Sequence, residues 1–349
     1  MTEAGVPRDV LAAWAGLSVE PSPYGTGLLN LTLRGELRGA PVVVQRVHPV
    51  FAPSVHHDIE AVTRHLAAKG LTTPRLVPTS QGELCHVDQE RRPWRVLTLI
   101  QNTISHDVVV SPALAREAGR TVGRFHAAVS DLEHSYRHVR PHVHDAAHHL
   151  PEVHRALAAE PSHRLAREVE RVARALDALA PSLVGVDAVT RRHAHGDLKI
   201  SNLLFDEGGN GVCLVDLDTL SRMSLPLELG DALRSWCNPA KEDAALSSVD
   251  EALFEAALVG WSEGIGGLRP SRAEVESIVP GLLTIATVLA ARFAADALRE
   301  RYFGWDRTRF SAAGEHNLVR AEGQLALARS VVAARSSLEA IVRRVFGSG

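Results

Sequence analysis

The chain reads as an α+β, bilobal protein, with a small β-rich N-terminal lobe and a larger, mainly helical C-terminal lobe. Three observations predict this. Residues 28–47, LLNLTLRGELRGAPVVVQRV, carry alternating and branched apolar residues, the pattern of strands with one covered face. Beyond about residue 105 the apolar residues instead recur at spacings of three and four, the period of helices. A chain of 349 residues also exceeds what one ordinary core organises, so lobes over 1–105 and 106–349 are expected.

In the first lobe, Gly35, Gly39 and Pro41 break the 28–47 run into the two strands of a hairpin. Ile59, Val62 and Leu66 put one apolar face on a helix over 55–69. WRVLTLI, 94–100, is a buried strand. In the second lobe Ser111 and Pro112 stand at the N-cap and first position of a helix, whose face is Leu114, Ala118, Val122, Phe125, Val129 and Leu132. Further helices are expected over 146–159, 162–180, 249–263, 272–300 and 315–345. NLLFDEGGNGVCLVDLD, 202–218, reads as two short strands joined by a turn at Glu207–Gly211, where glycines supply positive φ.

Composition narrows the function classes. A net charge of -3 gives no reason to expect a nucleic-acid or acidic-membrane partner. The apolar stretch from Val279 to Ala297 is interrupted by Pro280, Gly281, Arg292 and Asp296, so it reads as a core helix and no membrane span is expected. Cys85, Cys213 and Cys237 lie far apart and outside any CxxC pattern, which suggests neither disulfide nor zinc. With an N-terminus that has no basic segment leading into an apolar run, this points to the cytoplasm. The pair His144 and His148 has i,i+4 spacing within PHVHDAAHHLPEVH, 141–154. It reads as solvated helix or cleft histidines, because no HExxH pattern or cysteine ligand accompanies it.

The chemistry concentrates in HAHGDLKISN, 193–202, and the strand that follows, CLVDLDTL, 213–220. A carboxylate five residues before a carboxamide, then an apolar strand ending in a second carboxylate, is a workable phosphoryl-transfer site. Asp197 suits acceptance of the proton of an attacking hydroxyl. Asn202 and Asp216 offer hard oxygen ligands to Mg2+ on the phosphates of ATP. Lys199 is a mobile point charge for the γ-phosphate, and His195 reads as an orienter of the loop.

HGDxxxxN followed by a DxD strand resembles the aminoglycoside phosphotransferase and choline kinase superfamily, which has the protein-kinase-like fold. The stretches VVVQRVHPVFAP, HDIEAVTRHL, WRVLTLIQNTISHDVV, EAGRTVGRFHAAVSDL, GDALR and HNLVRAEGQLAL look, in the same order, like their counterparts in N-acetylhexosamine 1-kinases. The resemblance therefore covers most of the chain. It implies Asp197 as catalytic base and Asn202 and Asp216 as magnesium ligands, with Asp218 in support. Gly196 stands where protein kinases have the Arg of HRD, so control by a phosphorylated activation loop is not expected.

In the small lobe the resemblance implies a basic residue on the third strand with an acidic partner on the next helix. Gln45 and Arg46 point to opposite faces. Arg46 is the expected cation and Glu60 its partner, unless Glu60 pairs with Arg64 four residues on. YGTGLLN, 24–30, stands where a nucleotide loop belongs, and Gly25 and Gly27 either bring amides to phosphate or form a plain hairpin turn. Ile100, Gln101 and Asn102 fall at the hinge that meets adenine. On the acceptor side the resemblance implies contacts from His144 and Asp145. Tyr302, His316 and Asn317 either line the pocket or pack and cap helices, and Asp231 anchors the catalytic loop through backbone amides.

The expectation is an ATP- and magnesium-dependent phosphotransferase acting on a hydroxyl of a small molecule, first a free sugar such as an N-acetylhexosamine. Aminoglycosides, choline and homoserine are the rival acceptors. A nucleotide-binding scaffold with little turnover is the rival class.

Overall fold

An antiparallel sheet of five strands organises the N-terminal unit: β1 (Leu17–Pro23), β2 (Leu31–Leu37), β3 (Ala40–Arg46), β4 (His86–Val87) and β5 (Pro93–Thr98), in the order β1-β2-β3-β5-β4. The expected hairpin is β2 and β3. Arg38 and Gly39 both have positive φ, 52° and 84°, the two-residue turn whose twist matches the flanking strands, and it pairs Leu37 with Ala40. One sheet face carries Leu33, Val42, Val44, Trp94 and Val96 and is packed by Val10 and Trp14 of the N-terminal segment. Val10 lies on a short helix, α1 (Arg8–Ala13). The computed structural model describes residues 5–25, 30–183, 189–241 and 243–347.

The next helix, α2 (Val55–Ala68), buries Asp58 completely. The Asp58 carboxylate accepts hydrogen bonds from the amides of Arg137 (2.9 Å) and His138 (2.9 Å) and contacts His134 Nε2 (2.8 Å). A carboxylate is buried at tolerable cost only when its oxygens are satisfied, and these partners bind residues 131–139 to the first unit. The two compact units are accordingly Met1–Thr103 with Asp131–Val139, and Ile104–Ser130 with Arg140–Gly349. The sequence had assigned 131–139 to the second lobe.

The second unit is mainly helical: α3 (Pro112–Ala128), α4 (Ala146–Ala159), α5 (Ala166–Leu179), α6 (Leu225–Trp236), α7 (Glu251–Gly264), α8 (Arg272–Glu276), α9 (Ile278–Arg299), α10 (Ala313–Ala333) and α11 (Arg335–Phe346). Two small antiparallel sheets interrupt them, β6 (Arg191–Ala194) with β9 (Ser221–Ser224), and β7 (Leu203–Phe205) with β8 (Gly211–Leu214). Ser111 caps α3 by accepting from the Leu114 amide at 3.2 Å. The backbones of α3 and α7 touch: a Cβ on Gly119 would lie 2.1 Å from the Ala257 carbonyl oxygen, and one on Gly260 1.8 Å from that of Arg116. Helix α9 is long and apolar enough to cross a membrane, yet its most apolar window is 89% buried within the protein.

Two long helices expected from periodicity are each divided. The 272–300 run breaks at Ser277. Pro280 has no amide hydrogen and is tolerated only in the first turn of a helix, so α9 restarts just before it. The 315–345 run breaks at Ala334, where φ -91° and ψ 5° leave helical geometry.

Candidate active site

The HAHGDLKISN segment leaves β6 at Ala194 and turns through Gly196, φ 80°, where a Cβ would lie 2.6 Å from the Thr219 carbonyl oxygen. Four of its amides are claimed by one helix. Glu228 accepts from His195 N (2.7 Å) and Gly196 N (3.0 Å), Asp231 from Leu198 N (2.5 Å), and Ser235 Oγ from Ile200 N (3.0 Å). These acceptors are three and four residues apart on α6 and therefore share one face. Asp231 thus anchors the loop as expected. The His195 Nε2–H donates to the Val215 carbonyl (2.9 Å), so Nδ1 is the acceptor for the Asp197 amide (3.3 Å). The ring orients the loop in one tautomer. His126 is fixed similarly: Trp261 Nε1 donates to its Nδ1 (3.0 Å), leaving Nε2–H to donate to Glu228 (3.3 Å).

Within that frame Asp197 is held at the centre of a charged cluster. Lys199 Nζ is 3.2 Å from Asp197 Oδ2. The Asn202 Nδ2 group donates both to that oxygen (3.1 Å) and to the Asp197 carbonyl (2.9 Å). Burial by itself raises the Asp197 pKa, but Lys199, Arg234 and His195 outweigh it and bring it down to about 2, so the carboxylate stays ionised. Asn202 and Asp216 are tied through the Val215 amide, which donates to the Asn202 carbonyl at 2.9 Å. Asp216 adopts a left-handed conformation, φ 63° and ψ 58°. Since both Asn202 bonds to Asp197 use its amide nitrogen, its side-chain oxygen is the atom left for a cation. With Asp216 this makes a hard oxygen donor pair that fits Mg2+.

A second cluster lies beside Asp197. Both ring nitrogens of His144 are buried and have no hydrogen-bond partner among the described residues. Burial, then Arg292 and Arg234, push its pKa down to about 3, so the imidazole is neutral. Arg140 hydrogen-bonds the Tyr302 hydroxyl, and Arg292 lies over the Tyr302 ring, 5.8 Å from its centroid. Asp145, expected at the substrate, is instead committed to structure: it caps α4 by accepting from His148 N (3.0 Å) and contacts His142 Nδ1 (2.8 Å). Of the residues with two readings, His316 stacks on Phe310 and accepts from the Asp306 amide, while Asn317 donates to Asp296. Those two pack and cap.

In the first unit the expected Arg46–Glu60 pair does not form. Arg46 sits opposite Trp94 in the row that includes Val44 and Val96, the face packed by Val10 and Trp14. The Glu60 carboxylate is 3.2 Å from Arg75 and 3.7 Å from Arg64. Gly25 has φ 85° and open space around it, and Gly27 lies outside the described residues. The Ile100 carbonyl accepts from Thr103 Oγ1 (3.0 Å), and Asn102 is exposed with φ 55°.

Residues 21–270 match the model of the phosphotransferase enzyme family. The chain belongs to that family. Its fold is shared with solved small-molecule kinases. A microcompartment-associated aminopropanol kinase aligns at 16% identity and TM-score 0.64, covering 95% of this chain and 97% of the other. An aminoglycoside phosphotransferase from Alicyclobacillus acidocaldarius aligns at 15% and 0.58, covering 96% and 97%. An amicoumacin kinase in complex with AMP-PNP and Ca2+ aligns at 12% and 0.59, covering 91% of each. The chain is a small-molecule kinase with a protein-kinase-like α+β fold.

Arg140, Arg234, Glu228 and Arg292 are among the residues of this phosphotransferase that were not singled out from sequence. Glu228 carries two loop amides, and its signal was an acid three residues before Asp231 in LELGDALR. Arg292 entered the reading only as an interruption of α9, and nothing local assigns it to the neighbourhood of Asp197.

Proposed function

We propose that this phosphotransferase moves the γ-phosphate of ATP to a hydroxyl of a free sugar, with an N-acetylhexosamine the first candidate, in the cytoplasm. The observation that carries the reading is the Asp197 carboxylate, ionised and fixed by a loop whose amides are held by α6. Asp197 orients the acceptor hydroxyl toward the phosphate. With a pKa of about 2 it is a weak base, suited to a loose transition state in which the proton is taken late. Lys199, which pairs with Asp197 here, turns to the γ-phosphate when ATP is bound. Asn202 and Asp216 would hold Mg2+, which supplies charge neutralisation at the phosphates when present.

The guanidinium groups of Arg292 and of Arg234, the latter paired with Asp231 at 3.0 Å, and the neutral His144 near Asp197, with Arg140 beside Arg292, support a sugar over its rivals. Clustered cations repel a polycationic aminoglycoside or a choline, whereas guanidinium donors suit sugar and acetamide oxygens.

The test is ATP consumption with Mg2+ across free hexoses, N-acetylhexosamines, aminoglycosides, choline and homoserine, with Asp197→Asn beside the wild type. Turnover on one sugar that falls by a factor of about 100 to 10,000 in the variant is expected. Turnover on an aminoglycoside alone would overturn the acceptor assignment.

A further inference from the structure

Two arginines converge on Tyr302. Arg140 hydrogen-bonds its hydroxyl and lies over its ring, 5.8 Å from the centroid. Arg292 of α9 lies 5.8 Å from the same centroid and 5.4 Å from that of Phe303. Among the described residues these aromatic faces are the close company of the Arg292 guanidinium, and no carboxylate stands within ion-pair distance of it. The neighbouring acids are engaged elsewhere. Asp296, four residues on and so on the same face of α9, accepts from the amides of Arg301, Tyr302 and Phe303 at 3.1, 3.0 and 2.9 Å and from Asn317 Nδ2 at 3.0 Å. Glu300, the C-cap of α9, is held by Arg164 and His163, and Glu152 of α4 by Arg299 and Arg155. Asp231 pairs with Arg234 at 3.0 Å and Asp197 with Lys199 at 3.2 Å. Arg292 is half-buried. Burial, then the charges of Arg140 and Arg234, hold its pKa below the ordinary value against the pull of Tyr302 and Asp197, as expected of a cation short of counter-charge.

We propose that Arg292, with the hydroxyl of Tyr302, forms an anion subsite beside Asp197, and that the sugar this kinase phosphorylates carries a carboxylate. The inference rests on the proposed sugar-kinase reaction and names the class of sugar. A guanidinium presents its N–H groups as a planar fork that matches the two oxygens of a carboxylate. The Tyr302 oxygen accepts from Arg140, so its own O–H is the donor left for a ligand. His144 adds a third donor: its ring is neutral, neither nitrogen has a partner among the described residues, and Arg292 is the first of the charges that act on it. Charge matching selects a monoanion. Lys199 is offset by Asp197 and Arg234 by Asp231, which leaves Arg292 as the charge to be met. A phosphate dianion in the same place would be repelled by the ionised Asp197 and by the γ-phosphate of ATP. An N-acetylhexosamine oxidised to a uronate at its primary alcohol keeps the other hydroxyls of the sugar and supplies the missing charge.

The test is steady-state turnover of the full chain with ATP and Mg2+ on matched pairs of acceptors: glucose and glucuronate, galactose and galacturonate, N-acetylglucosamine and its uronate. The wild type is expected to favour the uronate of at least one pair by about tenfold or more in kcat/KM. In Arg292→Gln the uronate is expected to lose more than its neutral parent, so that the preference shrinks to within about twofold, while Arg292→Lys, which keeps the charge but not the fork, retains part of it. A change in overall stability would lower both members of a pair together and leave their ratio alone. The wild-type comparison needs no variant and stands even if Arg292→Gln does not fold. Neutral sugars used as well as their uronates, or better, overturn the inference and leave the sugar-kinase reading intact. A uronate preference that survives Arg292→Gln, or a variant whose main defect is a raised KM for ATP with every acceptor, overturns the role of Arg292. Turnover on a non-sugar acceptor with none on any sugar overturns the sugar reading, and the inference with it.

Discussion

Replacing Glu228 by Gln tests how the active-site loop is held. The carboxylate accepts from His195 N at 2.7 Å, Gly196 N at 3.0 Å and His126 Nε2 at 3.3 Å, and the residue is 1% exposed. A glutamine keeps one acceptor oxygen, and its NH2 must face an amide N–H. One hydrogen bond to a charged acceptor is lost, about 1.5–3 kcal/mol, and two donors are left buried and unpaired, about 1–3 kcal/mol more. At about 2–4 °C per kcal/mol for a unit of this size, the melting temperature is expected to fall by roughly 10 °C. The loop also carries Asp197, and a shift of about 1 Å at a reacting group costs on the order of 100-fold in rate, so kcat falls while the KM for ATP changes little.

The pH dependence of Glu228 has a definite sign. Burial raises its pKa, but the hydrogen bonds from the His126 ring and the His195 amide take it below the ordinary 4.5. A depressed carboxylate adds stability above its unfolded pKa and loses it as pH falls through the folded value. The wild-type melting temperature is therefore expected to drop below pH 4.5 more steeply than that of Glu228→Gln. Differential scanning calorimetry with steady-state kinetics reads both effects. A Glu228→Gln protein with wild-type melting temperature and wild-type kcat would refute the reasoning.

Three further outcomes follow from the geometry. With Asp197 at about 2, kcat/KM should show no acidic limb from this group above about pH 4, and an inflection near neutrality that disappears in Asp197→Asn contradicts it. Gly196→Ala forces a side chain into a left-handed position, about 1–2 kcal/mol, and 2.6 Å from the Thr219 carbonyl; thermal melting should register a small loss and turnover a large one, so unchanged turnover counts against the loop geometry. Asp58→Ala removes the acceptor for the Arg137 and His138 amides, about 1–3 kcal/mol for each donor left unpaired. Limited proteolysis should then cut within 131–139, and equal resistance in the variant would show that other contacts hold the segment.

Local pattern alone determined the β2–β3 hairpin, the cap and apolar face of α3, the β7–β8 hairpin and the polar run from His193 to Asn202. Each depends on residues close in sequence: alternation, a serine before a proline, glycines at a turn, a carboxylate and an amide five residues apart. The family and its phosphotransferase chemistry were legible because that polar run is short and contiguous.

Tertiary structure decided what depends on distant partners. Alternation says that Gln45 and Arg46 face opposite ways, but only the packing of Val10 and Trp14 decides which face is covered. Helical spacing allowed Glu60 a partner on its own helix, and the chain's return brought Arg75 closer. Asp145, placed at the acceptor by the family resemblance, is a cap because α4 begins there. Periodicity ran through Ser277 and Ala334, where the backbone breaks, since apolar spacing does not record a lost amide hydrogen or a change of helix axis. Residues 131–139 belong to the first unit because the buried Asp58 needs their amides, a demand set by desolvation at a site more than seventy residues away.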